Sequence, residues 1–113
     1  DFSAVTINHI NETTAQRLNE LNAYLAERGA TMLVAAYPVA VYEKTPSAEQ
    51  YYEMGREMSD MLDCPVISDF RDYMLDKAYF FDAHTHLTDE GTRLRTEQLI
   101  RDIQDYMDGK KKY

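Results

Sequence analysis

Apolar side chains recur every three or four residues in three stretches of the chain, which is the spacing of helices that bury one face. These stretches predict helices over residues 10–28, over about 46–62, and from residue 88 or 89 to a glycine at 109. In the last helix the expected inner face consists of Thr96, Leu99, Ile100, Ile103 and Met107. The candidate caps are Asn8 or Asn11 for the first helix, Thr45 or a Ser47–Gln50 capping box for the second, and Thr88 or Asp89 for the third.

Two continuous apolar runs lie between these helices. Residues 31–38 and 64–69 show little polar alternation, which is typical of strands that are buried on both faces of a parallel sheet. Pro38 is expected to end the first strand, because proline cannot donate to a central ladder, and residues 39–44 are then a loop. Residues 70–76 are expected to be irregular or a single turn. The alternation of helix and strand predicts an α/β domain with helices on both faces of a short parallel sheet.

Composition and charge restrict the classes of partner. The chain has 113 residues, of which 44% are apolar, so one domain with a real core is expected over residues 1–113. Its net charge of −8 argues against nucleic acid and against anionic membrane as partners. The single cysteine, Cys64, permits no internal disulfide and is expected to be a buried small hydrophobe. The basic run Lys110–Lys112 is expected to be a solvated tail, and no cofactor is predicted.

The stretch Tyr79–Gly91 holds most of the candidate chemistry. It places Asp82, His84 and His86 between an aromatic run and a helix start, and two kinds of site compete for it. In an extended backbone His84 and His86 lie on one face, so they could chelate a metal ion together with Asp82. This Asp-x-His-x-His run resembles the strand-end motif of amidohydrolases, but only one further histidine, His9, is present to complete such a site.

The second kind of site is a catalytic pair, in which a carboxylate fixes the tautomer of a histidine base. Asp82, followed by His86-Leu87-Thr88-x-x-Gly91 and a helix, resembles the last sequence block of SGNH (GDSL-type) hydrolases. The resemblance implies a flavodoxin-like three-layer αβα sandwich that cleaves or transfers acyl groups on oxygen. It implies His86 as general base and Asp82 as its orienting carboxylate. The Asp-x-His spacing is similar to that of SGNH-related polysaccharide O-acetyltransferases, so His84 is an alternative base.

The nucleophile block of that family has no counterpart in this chain. The family carries a Gly-Asp-Ser-type block upstream, with oxyanion-hole residues between, whereas the four serines here (Ser3, Ser47, Ser59 and Ser68) lack that context. The chain is therefore expected to be the C-terminal portion of a larger SGNH-like domain, inactive or nearly so alone, because a base without a nucleophile and oxyanion donors retains little catalysis.

Three functional hypotheses follow from the sequence. The first is an SGNH-like serine esterase or O-acyltransferase portion, whose whole protein would act on a small-molecule or glycan ester in the cell envelope or outside the cell. The second is a fragment of a metal-dependent hydrolase that uses Asp82, His84 and His86. The third is a non-catalytic α/β interaction domain. An incomplete sheet would also leave an open edge, which predicts a homodimer.

Overall fold

The computed structural model describes residues 9–83 and 85–113, within which there are three α-helices and a short parallel sheet. The helices are α1 (Glu12–Ala26), α2 (Ala48–Met61) and α3 (Asp89–Met107). The strands are β1 (Val39–Val41) and β2 (Met74–Asp76), and 3-10 helices flank β2 at Phe70–Tyr73 and Lys77–Tyr79. The predicted α/β class is confirmed at this level.

All three predicted helices are present close to their predicted limits, and their first turns are capped by side chains. Asn11 caps α1, the Ser47–Gln50 capping box starts α2, and Thr88 caps α3. The predicted cap of α2 at Thr45 is wrong, and the alternative cap at Ser47 is the one present. The Thr45 hydroxyl is already engaged in the preceding loop, where it donates to the carbonyl of Ala40 at 2.7 Å.

The predicted strands are wrong as regular strands. Residues 31–38 and 64–69 are extended neighbours, but they pair through one isolated parallel bridge between Val34 and Val66. Ladder pairing needs backbone groups in register over several residues, whereas an apolar run signals only burial. The two segments still supply the core, because Val66 is 7% exposed and packs in the main apolar cluster.

The two-stranded sheet lies one step further along the chain, in stretches that were expected to be loop or irregular. Val39–Val41 pairs in parallel with Met74–Asp76, with Val39 opposite Met74. The expectation that Pro38 starts a loop over 39–44 is therefore wrong for its first three residues. Proline removes one donor at its own position, and the chain stays extended beyond it.

The predicted inner face of α3 is also wrong. Its buried residues are Gly91 and Asp102, the latter with 0% exposure. Residues Thr96, Ile100, Ile103 and Met107 lie on the outer side, and Met107 is 78% exposed. Gly91 packs closely against the backbone of Tyr79. A Cβ at residue 91 would lie 2.6 Å from the carbonyl oxygen of Tyr79, so only glycine allows this approach.

Within the basic run at 110–112, Lys110 and Lys111 are exposed as expected of a solvated tail, but Lys112 is held against the folded structure. The Lys112 ammonium donates to Asp105 at 2.7 Å, and its side chain is 17% exposed. Next to it Tyr113 enters a slot beside Gly55, where its hydroxyl accepts the N–H of Phe70 at 3.2 Å. Lys112 is therefore tied to α3, and Tyr113 to α2.

Candidate functional site

The candidate site is a tight loop that leads from the second 3-10 helix into α3. An antiparallel bridge between Phe80 and Leu87 closes the loop. Inside this bridge the N–H of Phe81 donates to the carbonyl oxygen of His86 at 3.0 Å. The N–H of His86 donates to the carbonyl oxygen of Ala83 at 3.1 Å. The short hairpin-like backbone brings residues 82 and 86 to the same end of the loop, just before the cap of α3.

Asp82 and His86 interact directly. The Asp82 Oδ1 and His86 Nδ1 atoms are 2.5 Å apart, and the two side chains are 59% and 56% exposed. The ring of Phe81 lies against the imidazole, with 5.8 Å between centroids. The contact that the sequence predicted between Asp82 and a histidine is thus present on His86, while His84 lies outside the described residues.

The orientation of the His86 ring decides what the pair can do chemically. A carboxylate on Nδ1 favours the tautomer with the proton on Nδ1, which leaves the Nε2 lone pair to accept a proton from a nucleophile. Because both groups are well exposed, the pair contributes little to stability, at most about 1 kcal/mol. Its geometry is therefore more informative about chemistry than about folding.

Tyr37 ties this loop to the rest of the domain. Its hydroxyl donates to the carbonyl of Thr85, the residue before His86, at 3.1 Å. Above its ring lies the guanidinium of Arg95 from α3, 5.5 Å from the centroid. Tyr37 belongs to the segment before β1, next to the loop that was expected over residues 39–44. After β1, Tyr42 lies beneath the Lys77 ammonium and Glu43 is exposed.

The serines of the described residues all have other places in the structure. Ser47 caps α2, Ser59 lies on α2 beside a cavity of about 360 Å³, and Ser68 is buried against Asp102. None of these three is hydrogen-bonded to His86. Ser3 lies outside the described residues.

Asp102 forms a buried polar network that sequence reasoning missed. One oxygen of this carboxylate accepts from the hydroxyls of Ser68 at 2.8 Å and Tyr73 at 2.6 Å. The other accepts from Gln98 at 3.1 Å, and the Lys112 ammonium lies 3.5 Å away. Burial, together with the bond to Asp102, raises the pKa of Tyr73 above its usual range. No local sequence signal marks this network, because Ser68 and Tyr73 lie 34 and 29 residues before Asp102 in the chain.

The described residues contain no group of three or more histidine, cysteine, aspartate or glutamate side chains that could hold a metal ion. His9 lies away from the loop and contacts Glu57 at 2.9 Å. The metal site of Asp82, His84 and His86 includes a residue outside the described part, so it stays a prediction. Within the same part of the chain, none of the helices has the length and hydrophobicity that a bilayer crossing requires.

Comparisons with protein-family models, with curated proteins and with solved structures found no match for this chain.

Proposed function

We propose that this chain supplies the acid–base half of an SGNH-like serine esterase or O-acyltransferase. In this proposal His86 is the general base and Asp82 orients it, while the serine and the oxyanion donors come from polypeptide outside these residues. The three helices and the short parallel sheet would be part of a three-layer αβα sandwich. The substrate would be a small-molecule or glycan ester.

One observation carries the proposal, the hydrogen bond between Asp82 and the Nδ1 atom of His86 at 2.5 Å. A base of this kind needs its other ring nitrogen to be held by a carboxylate, and both partners must be presented by a rigid segment. The bridge from Phe80 to Leu87 and the cap at Thr88 meet the second requirement. The pair also stands in register with Leu87, Thr88 and Gly91, the residues on which the family resemblance rests.

The test uses the longer reading frame that encodes these residues, treated with a fluorophosphonate probe that reacts with activated serines. The expected result is labelling of a serine outside the present 113 residues. Labelling is expected to slow by about 10²- to 10⁴-fold in His86→Ala, which removes the base. Labelling is expected to slow to a smaller extent in Asp82→Ala, which keeps the imidazole but no longer holds the proton on Nδ1.

His9→Ala is the matched control, because His9 also contacts a carboxylate but lies away from the loop. It should label at the rate of the unmodified protein. Labelling that is unchanged in His86→Ala, or the absence of any reactive serine in the longer protein, would overturn the proposal. The isolated chain should hydrolyse p-nitrophenyl acetate no faster than an equal concentration of free imidazole.

A further inference from the structure

Arg95 differs from the other arginines of the described chain in how its charge is satisfied. It is half-buried, and within the described residues it forms no ion pair. Two positions earlier, Arg93 contacts both Glu90 and Glu97. Arg17 and Arg101 also form no ion pair there, but both are exposed to solvent. In a chain with 20 acidic residues, a half-buried guanidinium without a carboxylate partner calls for an explanation.

Two contacts place this guanidinium beside the Asp82–His86 loop. Arg95 lies over the ring of Tyr37, and the hydroxyl of that same tyrosine holds the carbonyl of Thr85. Thr85 is bonded to His86 in sequence, so one side chain spans the distance between Arg95 and the candidate base. The aromatic face also holds the guanidinium in place by a cation–π contact, which leaves its N–H groups available at the edge.

The carboxylates of the candidate site and of the buried network are already engaged. Asp82 accepts from His86, and Asp102 accepts from Ser68 and Tyr73 in the buried network. Neither forms an ion pair with Arg95. The planar N–H fork therefore stays available for an oxyanion of a bound molecule, which it can bind through two parallel hydrogen bonds.

We propose that Arg95, held over Tyr37, binds an anionic group of the ester that reacts at His86, so that the substrate carries a carboxylate or phosphate beside the scissile bond. The inference rests on the proposed function for its choice of ester, whereas the binding of the anion rests only on the placement of Arg95. Arg95 acts here as a specificity residue and takes no part in the proton transfer.

The test is a titration of the present chain, followed by ¹H–¹⁵N NMR at constant ionic strength. The probes are monomethyl succinate, which is an anionic ester, its neutral counterpart dimethyl succinate, and inorganic phosphate. Monomethyl succinate is expected to give saturable shifts at the amides of Thr85 and His86 and at the Nε–H of Arg95. Dimethyl succinate is expected to give none. The phosphate arm shows whether the site accepts a phosphate as well as a carboxylate.

Arg95→Ala is expected to raise the dissociation constant for monomethyl succinate at least about tenfold, the usual effect of losing a hydrogen bond between charged groups. Arg17→Ala, which removes an exposed arginine of α1, should leave it unchanged. Equal shifts with the neutral ester, unaltered binding in Arg95→Ala, or no saturable shift in the unmodified chain would each overturn the proposal. Serine labelling of the longer protein is a separate measurement, so the two proposals can fail independently.

Discussion

The Nδ1 atom of His86 lies 2.5 Å from a carboxylate oxygen of Asp82, and this contact determines which ring nitrogen carries the proton. In alkaline solution, where imidazole is neutral, we expect the proton on Nδ1 in the folded chain. Asp82→Ala removes the acceptor and should return the ring to a mixture of both tautomers. The ¹⁵N chemical shifts of the ring nitrogens report this directly.

Asp82→Asn removes the negative charge but keeps the hydrogen-bond acceptor, because the amide oxygen can still accept from Nδ1. This variant should keep the tautomer of the unmodified chain. His9, whose ring contacts Glu57, provides an internal control and should give the same shifts in every variant. If the protonated nitrogen in the unmodified chain is Nε2, His86 is not arranged as the proposed base.

The helices were predictable because their signal is long and local. Apolar spacing over four or more turns marks a helix, and a cap such as Ser47 satisfies N–H groups only three residues away. The strands were not predictable, since β1 and β2 have three residues each, too few to show a period. Their pairing also depends on where two distant segments meet, which an apolar run does not encode.

The face of α3 shows a different limit of sequence reasoning. Asp102 was not among the residues expected to face the core, yet it is fully buried, because Ser68, Tyr73 and Gln98 converge on its oxygens. A buried carboxylate is stable only when such partners exist, and two of the three, Ser68 and Tyr73, come from elsewhere in the chain. The Asp82–His86 contact, in contrast, was predictable from the sequence, because both residues belong to one short loop and are only four positions apart.

Self-association through an open backbone edge at residues 33–35 is the first property of the whole molecule to test. Val34 directs its N–H and carbonyl toward residues 65 and 67, so the backbone groups of Leu33 and Ala35 face the other side. Within the described chain those groups have no hydrogen-bond partner. We therefore expect a dimer in light scattering at micromolar concentration. Ala35→Pro, which removes one donor of that edge, should shift the chain to monomer.

Ile100→Lys is the control for this dimer, because Ile100 belongs to the exposed apolar side of α3 and is 50% exposed. It should leave the dimer intact, and circular dichroism of both variants should match that of the unmodified chain. A chain that is monomeric at all concentrations contradicts pairing through the edge. A dimer lost in Ile100→Lys alone would place the contact on α3.

Gly55 and Tyr113 test whether residues 110–113 are held in place. A Cβ at residue 55 would lie 1.9 Å from the Tyr113 hydroxyl and 2.9 Å from Phe70, so Gly55→Ala must displace the tyrosine. We expect a loss of about 1–3 kcal/mol in urea unfolding, the usual cost of overpacking. In a Tyr113→Ala background the same change should cost less, since the closer clash is gone and alanine favours the helix by about 1 kcal/mol. Equal costs in both backgrounds would mean that Tyr113 does not occupy the slot.

Alkaline pH should weaken the same region. The bond to Asp105 raises the pKa of Lys112, and burial raises the pKa of Tyr113 to about 12. A group whose pKa is raised by folding stabilises the protein below its unfolded pKa and loses that contribution as pH rises through the folded value. The contribution of these two groups to the free energy of unfolding should therefore be constant up to about pH 10 and fall between about pH 10 and 12. Tyr113→Phe should reduce the fall, and a flat profile over this range would contradict the assignment.

Tyr51 and Tyr73 are buried to a similar extent, at 4% and 1% exposure, but their hydroxyls differ in what they contact. The Tyr73 hydroxyl donates to Asp102 at 2.6 Å, whereas that of Tyr51 has no hydrogen-bond partner within the described residues. Removing a hydroxyl bonded to a carboxylate should cost about 1.5–3 kcal/mol, so Tyr73→Phe should destabilise the chain. Tyr51→Phe removes only an unpaired polar group and should be neutral or stabilising by up to about 1 kcal/mol.

Urea unfolding of the two variants compares the same chemical change in two buried sites. A loss in Tyr51→Phe as large as that in Tyr73→Phe would show that the Tyr51 hydroxyl is bonded after all.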